Sequence, residues 1–259
     1  MTEMTVRRVA EYIDAFAPFI TAEEYDNVGI LVGDGNQKVH RILCSLDVTM
    51  DTVREAESLG AELIVSHHPL MFHGAKRLVA GVPEADVLRA LIKKDISLIS
   101  AHTNWDRSAL SGSACAARAI GLENVVQEEL LFTGSFPAPV SAEKAAEVIQ
   151  KALRAPLRVY GRPDKLIKTL SIVGGAYGEG YLEAQTAGAQ AYLTGEIRHH
   201  EITDAVARDL VIFDAGHYAS EALMIPALVS FLTDRLRAQR AQTEVVQTHC
   251  VPFPGALNT

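Results

Sequence analysis

Cysteine is scarce in this chain of 259 residues: Cys44, Cys115 and Cys250 stand apart, and no C-x-x-C spacing joins them. That argues against a thiolate zinc site or a thioredoxin-like centre, and an odd count without a disulfide framework points to a reducing compartment. Positive charge is also short, with 24 Lys+Arg against 32 Asp+Glu and a net charge of −8. Nucleic acid and anionic membranes, which need a basic surface, are therefore disfavoured as partners. Long apolar runs are missing too: none reaches the ~18 residues of a membrane span. In the first stretch, MTEMTVRRVAEYIDAFAP, acidic residues interrupt every apolar run, so it does not read as a signal peptide. The expectation is a cytoplasmic protein. What is not short is apolar content: 48% of residues are hydrophobic, enough for a sizeable core and against general disorder.

At ~150 residues per domain the length suits one large domain or two compact lobes. Short β-branched runs at Ile42–Val48, Glu62–Ser66 and Ile96–Ser100 alternate with the helix-like MDTVREAESLG and PEADVLRALIKKD. Val53, Ala56 and Leu59 share a helical face that Gly60 can close, and Pro83 suits a first helical turn. The second half repeats the style with strands at Thr169–Val173, Ala189–Thr194 and Leu210–Asp214, a long amphipathic segment from Ala219 to Arg240, and a final strand at Thr243–His249. Such alternation predicts an α/β protein with mainly parallel or mixed sheets flanked by helices. The Pro-interrupted stretch Ser135–Lys144 reads as a boundary, giving an N-terminal lobe over 1–134 and a C-terminal lobe over 135–259. Ser141 can cap the helix that follows, and the last strand can return to the first lobe.

In open parallel sheets, ligands gather beyond the carboxyl ends of the strands. Past the strand ELIVS stand His67-His68-Pro69; past ISLIS, Ala101-His102-Thr103-Asn104-Trp105-Asp106; past LVIFD, Ala215-Gly216-His217-Tyr218-Ala219-Ser220-Glu221. His217 and Glu221 are spaced i, i+4 and share one face of a helix. The turn before Pro69 breaks strand alternation, so the rings of His67 and His68 can serve two neighbouring centres, or one can bind while the other orients it. Three imidazoles (His67, His68, His217) and two carboxylates (Asp106, Glu221) suit zinc, iron, manganese, cobalt or nickel better than calcium. Five ligands exceed a closed structural zinc site and fit two divalent ions sharing a bridging carboxylate, either Glu221 or Asp106. Each piece alone has a plainer reading: a surface histidine, a solvated helix face, a helix-capping Asp106.

Taken in order, Tyr25-Asp26-Asn27-Val28-Gly29-Ile30, Ser45-Leu46-Asp47-Val48-Thr49, Ser66-His67-His68-Pro69-Leu70, Ala101-His102-Thr103-Asn104-Trp105-Asp106, Thr194-Gly195-Glu196 with His199-His200, and Asp214-Ala215-Gly216-His217 with Ser220-Glu221 resemble the Nif-three-like dinuclear metal-centre family, the GTP cyclohydrolase I type 2 homologs. The resemblance runs through most of the chain and implies two α/β lobes with the metals between them. It places the family's ligands on His67, His68, Asp106, His217 and Glu221, with Glu221 as the bridge, and implies dimers that build a ring-shaped homohexamer. Trp105 and Tyr25 depart from the usual residues at their positions, Trp105 beside the pocket of Asp106.

His102 reads as a partner that orients a ligand, or as a proton shuttle, and Asp47 as an acceptor for a metal-bound imidazole. His199 and His200 line the same cleft or simply the polar face of a helix; His40, His73 and His249 read as surface. Gly174–Gly180 fails the G-x-G-x-x-G register because Glu183 takes the third glycine position, so it reads as a tight turn whose N–H groups could hold a phosphate. The expected function is a metal-dependent hydrolase acting on a nucleotide or other phosphorylated small molecule. The alternative is a non-catalytic metal-binding regulatory or scaffold protein.

Overall fold

The computed structural model describes residues 3–251. They form two compact units, one running up to Ser108 and resuming at Ile225, the other spanning Ala109–Met224. The first unit opens with α1 (Val6–Phe16), β1 (Gly29–Val32), β2 (Arg41–Ser45), α2 (Met50–Leu59), β3 (Leu63–Ser66), α3 (Pro83–Lys93), β4 (Ser97–Ser100) and the short α4 (Thr103–Asp106). The second unit holds α5 (Gly112–Ile120), β5 (Glu123–Glu128), β6 (Leu131–Ser141), α6 (Ala142–Leu153), β7 (Arg158–Tyr160), β8 (Leu166–Val173), α7 (Tyr181–Thr186), β9 (Ala191–Thr194), α8 (His199–Ala207), β10 (Val211–Asp214) and α9 (His217–Glu221). The chain then adds α10 (Met224–Ala238) and β11 (Glu244–Gln247), which complete the first unit.

The first sheet has the order β1-β4-β3-β2-β11. β11, β2, β3 and β4 run parallel, and β1 closes the edge antiparallel. The parallel register brings Ser45, Ser66 and Ser100 side by side at the carboxyl ends of β2, β3 and β4. Every residue of β3 and β4 is buried, as a parallel strand covered on both faces requires. On one face Leu43, Ile64 and Leu98 pack with Val53 and Ala56 of α2 and Leu91 of α3. Local signals set the helix ends as expected: Thr49 caps α2, Gly60 ends it with φ +64°, and Pro83 fills the first turn of α3.

The second sheet has the order β5-β6-β8-β9-β10-β7. Its centre, β8-β9-β10, is parallel, and the remaining pairings are antiparallel. Ala145 and Ile149 of α6 pack against Leu170, Ile172, Leu193 and Phe213.

Two expectations about the chain's layout are revised. Ser135, the expected start of the second lobe, lies inside β6, and the units divide after Ser108 and again after Met224. The prolines of Ser135–Lys144 mark no linker: Pro137 and Pro139 fall where the β6–β8 register shifts, between Ser135 and Val140. There the missing N–H of proline costs no ladder bond. Ser141 then caps α6 by accepting the Lys144 N–H at 3.2 Å. The amphipathic segment 219–240 is two helices, α9 and α10. Pro226 explains the break, since its ring would collide with the carbonyl of Ala222 in a continuous helix.

Trp105 is a core residue. It is buried against Phe16 and Phe231, with ring centroids 5.3 and 5.6 Å away, in a cluster that ties α4 to α1 and α10. No helix among the described residues is long and apolar enough to cross a membrane. Trp105 is the only tryptophan, so its emission should be blue-shifted in the native protein and move to the red in denaturant. Phe231→Ala should cost the first unit ~3–5 kcal/mol, read from a lower denaturation midpoint of that signal. A native emission already at the solvent-exposed position would contradict the packing.

Candidate metal centre

In the first unit, the ends of β3 and β4 present the histidines. His67 and His68 extend the ladder from β3, their N–H groups donating to the carbonyls of Ser45 (3.1 Å) and Leu46 (2.9 Å). The chain bends there, so the two rings lie on the same side, centroids 5.0 Å apart, instead of alternating. His102 joins them at the corner after β4, 5.0 Å from the His67 ring and 5.6 Å from the His68 ring. One ring nitrogen from each of the three lies within 4.8 Å of the others.

The hydrogen bonds behind these rings set their chemistry. His67 Nδ1 is 2.9 Å from the Ala101 carbonyl, His68 Nδ1 is 2.8 Å from Asp47 Oδ1, and His102 Nδ1 is 2.9 Å from Asp26 Oδ1. A carbonyl or a carboxylate has no proton to give, so Nδ1–H donates in each case. In the neutral ring Nε2 then carries the lone pair, the state a metal-binding imidazole requires. Asp106, at the end of α4, brings Oδ1 to 3.6 Å from His67 Nε2.

Asp26 holds more than one partner. It also accepts the N–H of Thr103 at 3.0 Å and the Thr103 hydroxyl. Burial pushes its carboxyl up, but the donations from His102 and Thr103 outweigh it and hold the group well below the usual carboxylate range. Asn104, also buried, accepts the His102 N–H at 3.0 Å and donates to the Ala17 carbonyl at 2.7 Å. The corner between β4 and α4 is thus fixed from both sides.

In the second unit, β10 ends at Asp214 and Gly216 turns the chain with φ +76° into α9. His217 Nε2 stands 3.2 Å from Glu221 Oε2, the expected i, i+4 pairing. Its Nδ1 is 2.6 Å from Glu196 Oε1, so this ring repeats the arrangement of the three in the first unit. Glu221 is only 4% exposed, although a carboxylate is costly to bury. Main chain surrounds it. A Cβ on Gly175 would stand 2.3 Å from Glu221 Oε1, one on Gly112 would stand 2.9 Å from the Glu221 Cα, and one on Gly195 would meet the Ser220 hydroxyl at 2.5 Å.

Each unit therefore assembles part of the expected set: His67, His68 and Asp106 in one, His217 and Glu221 in the other. The imidazole and carboxylate donors, with ring tautomers already held, fit a divalent transition metal ion. Asp47 takes its expected place behind His68. His102 stands in the nitrogen cluster itself, closer to a ligand's position than the sequence reading put it. Asp26 and Glu196 were not anticipated as ring holders; a carboxylate far along the chain leaves no trace in local spacing.

Other expectations change. The N–H groups of Gly174 and Gly175 are not offered to a phosphate: they donate to the hydroxyls of Ser113 (2.9 Å) and Ser220 (3.0 Å), and the pair lies against Glu221. His199 and His200 are exposed at the start of α8, the polar-face reading. His40, His73 and His249 are exposed, as expected of surface residues.

The family model described as Duf34/NIF3 (NGG1p interacting factor 3) matches residues 4–254. A Streptomyces coelicolor protein named GTP cyclohydrolase 1 type 2 homolog is 35% identical over 226 residues, 81% of this chain and 79% of its own length. Among solved structures, a Staphylococcus aureus hypothetical protein, SA1388, superposes with a TM-score of 0.93 at 26% identity, covering 99% of this chain and 100% of the other. A Bacillus cereus protein related to NIF3 shares the fold with a TM-score of 0.92 at 19% identity, covering 99% and 100%.

Asp47→Ala should weaken metal affinity by ~10–100-fold by removing the acceptor behind His68, as read by competition with a chelator. Gly175→Ala should lower bound metal while leaving the second unit folded, because the new methyl group displaces Glu221; elemental analysis beside circular dichroism checks both halves. The Asp26 carboxylate is depressed, so its stabilisation is present above the unfolded-state value of ~3.9 and fades as pH falls towards its folded value. The stability gap between wild type and Asp26→Asn should hold from neutral pH down to about 4 and close only in stronger acid. A gap that closes near neutrality would contradict the pairing.

Proposed function

Because the chain belongs to the Duf34/NIF3 family, we propose that His67, His68, Asp106, His217 and Glu221 hold a pair of divalent metal ions and that the protein is a metal-dependent hydrolase of nucleotides or other phosphorylated small molecules. One observation carries the reading: His67, His68 and His217 each donate Nδ1–H to an oxygen acceptor, which leaves the lone pair of the neutral ring on Nε2 for a metal. Asp106 and Glu221 would add the carboxylates. Zinc, iron, manganese, cobalt and nickel all accept this mixed set.

Bound divalent ions supply Lewis acidity and an activated water near neutral pH. The chain's own groups do the rest. His102, gripped by Asp26, can accept a proton at Nε2 beside the ligand rings and return it to a leaving group. Asp26 stays ionised and so stabilises the protonated ring. The name of the Streptomyces relative puts GTP first among nucleotides to try. Assembly into dimers and a homohexamer belongs to the same reading, and sedimentation would test it.

Elemental analysis of protein purified without added metal should find two equivalents per chain, falling sharply in His67→Ala. Protein loaded with manganese, zinc or iron should turn over at least one member of a panel of GTP, other nucleotides and phosphomonoesters. Unchanged metal content in His67→Ala would overturn the site. Full metal content with no turnover across the panel would overturn the hydrolase and favour the regulatory or scaffold role.

A further inference from the structure

Tyr25, Asp26 and Asn27 act as a unit beside the imidazole cluster. Asp26 grips His102, and Asn27 donates from Nδ2 to the Met71 carbonyl at 2.6 Å, pinning the start of an exposed segment. Between those two ties the chain displays two aromatic rings. Tyr25 is 61% exposed and Phe72 is 39% exposed, with ring centroids 5.9 Å apart. Phe72 in turn lies 6.1 Å from the His102 ring, which leads to His68 and His67. The result is a continuous run of five rings, apolar at one end and nitrogen-donating at the other.

Exposed aromatics cost solvation unless something flat and apolar covers them, and such rings at the rim of a polar cluster are a common floor for ligands. Partial burial, and after it the nearby carboxylates of Glu23, Asp26 and Asp106, push the Tyr25 hydroxyl up, so this apolar end is set among polar groups. A molecule that uses both ends must join a flat unsaturated ring to oxygen donors. A nucleotide does so: its base has a face to stack, and its phosphate seeks the metal-binding end. Tyr25 and Phe72 already touch each other, so the base is received on their open faces, not between them.

We infer that Tyr25 and Phe72 form the base-stacking platform that selects nucleotides over other phosphorylated molecules. The inference rests on the hydrolase reading for the identity of the site but makes a separate claim about binding. Base–aromatic stacking is sequence-tolerant, so any nucleobase should gain from it.

The test measures binding of GMP and of ribose 5-phosphate to manganese-loaded protein by calorimetry, with metal content and sedimentation recorded for each variant. Tyr25→Ala and Phe72→Ala should each weaken GMP by ~5–100-fold and leave ribose 5-phosphate unchanged. Tyr25→Phe, which keeps the ring, should bind GMP like wild type. Both alanine variants should keep full metal content, since neither side chain is assigned to a metal. Where turnover is found, KM for the nucleotide should rise with little change in kcat. Equal losses for GMP and ribose 5-phosphate, no loss for either, or wild type that binds metal but not GMP would each overturn the platform. A changed sedimentation coefficient with unaltered GMP affinity would also overturn it and assign the rings to a contact between copies. Loss of metal from wild type itself would instead refute the metal site, so the two failures are distinguishable.

Discussion

A histidine ring has two nitrogens, and which one keeps its lone pair decides which of them can bind a metal. Here the choice is made by oxygen acceptors behind the rings: a main-chain carbonyl for His67, and the carboxylates of Asp47, Asp26 and Glu196 for His68, His102 and His217. Those acceptors come from the loops after β2, β4 and β9 and from the segment before β1, so the fold's job is to bring them up behind rings that arrive from other strands. The same bonds remove the freedom of each ring to spin, which a chelating site cannot afford to leave open.

Burial sharpens this arrangement. His67 is 1% exposed and Glu221 4% exposed, so neither can turn to water. The carboxylate behind His102 stays ionic because it receives hydrogen bonds from His102 and Thr103, and an ionic acceptor makes the opposite nitrogen more basic. Ser66 and Ser100 bond each other at the ends of β3 and β4, closing a polar layer beneath the rings without adding charge.

Much of this was legible in the sequence, and for a common reason. A parallel strand buried on both faces reads as an unbroken apolar run, so ELIVS, ISLIS and LVIFD announced themselves, and polar residues stacked beyond their carboxyl ends marked the candidate site. Gly60 and Pro83 likewise declared helix ends through their own backbone chemistry. What stayed hidden depends on distance. The edge strands β1, β5 and β7 are short or exposed and carry no periodic signal. Asp26 serves His102 across 76 positions, and Glu196 serves His217 across 21. Pro137 and Pro139 misled because a proline in a register shift looks the same in sequence as a proline in a linker. Gly174 and Gly175 read as part of a tight turn because glycine answers two demands, freedom of the backbone and absence of a side chain, and only the second applies at Gly174.

The glycines around Glu221 have a thermodynamic corollary. A wall of side chains can shift rotamer and let a neighbour move; a wall of peptide cannot. With Gly112, Gly174 and Gly175 pressed against it, Glu221 surrenders its torsional entropy when the chain folds, not when a ligand arrives. That loss is charged to conformational stability, and the association step is spared it.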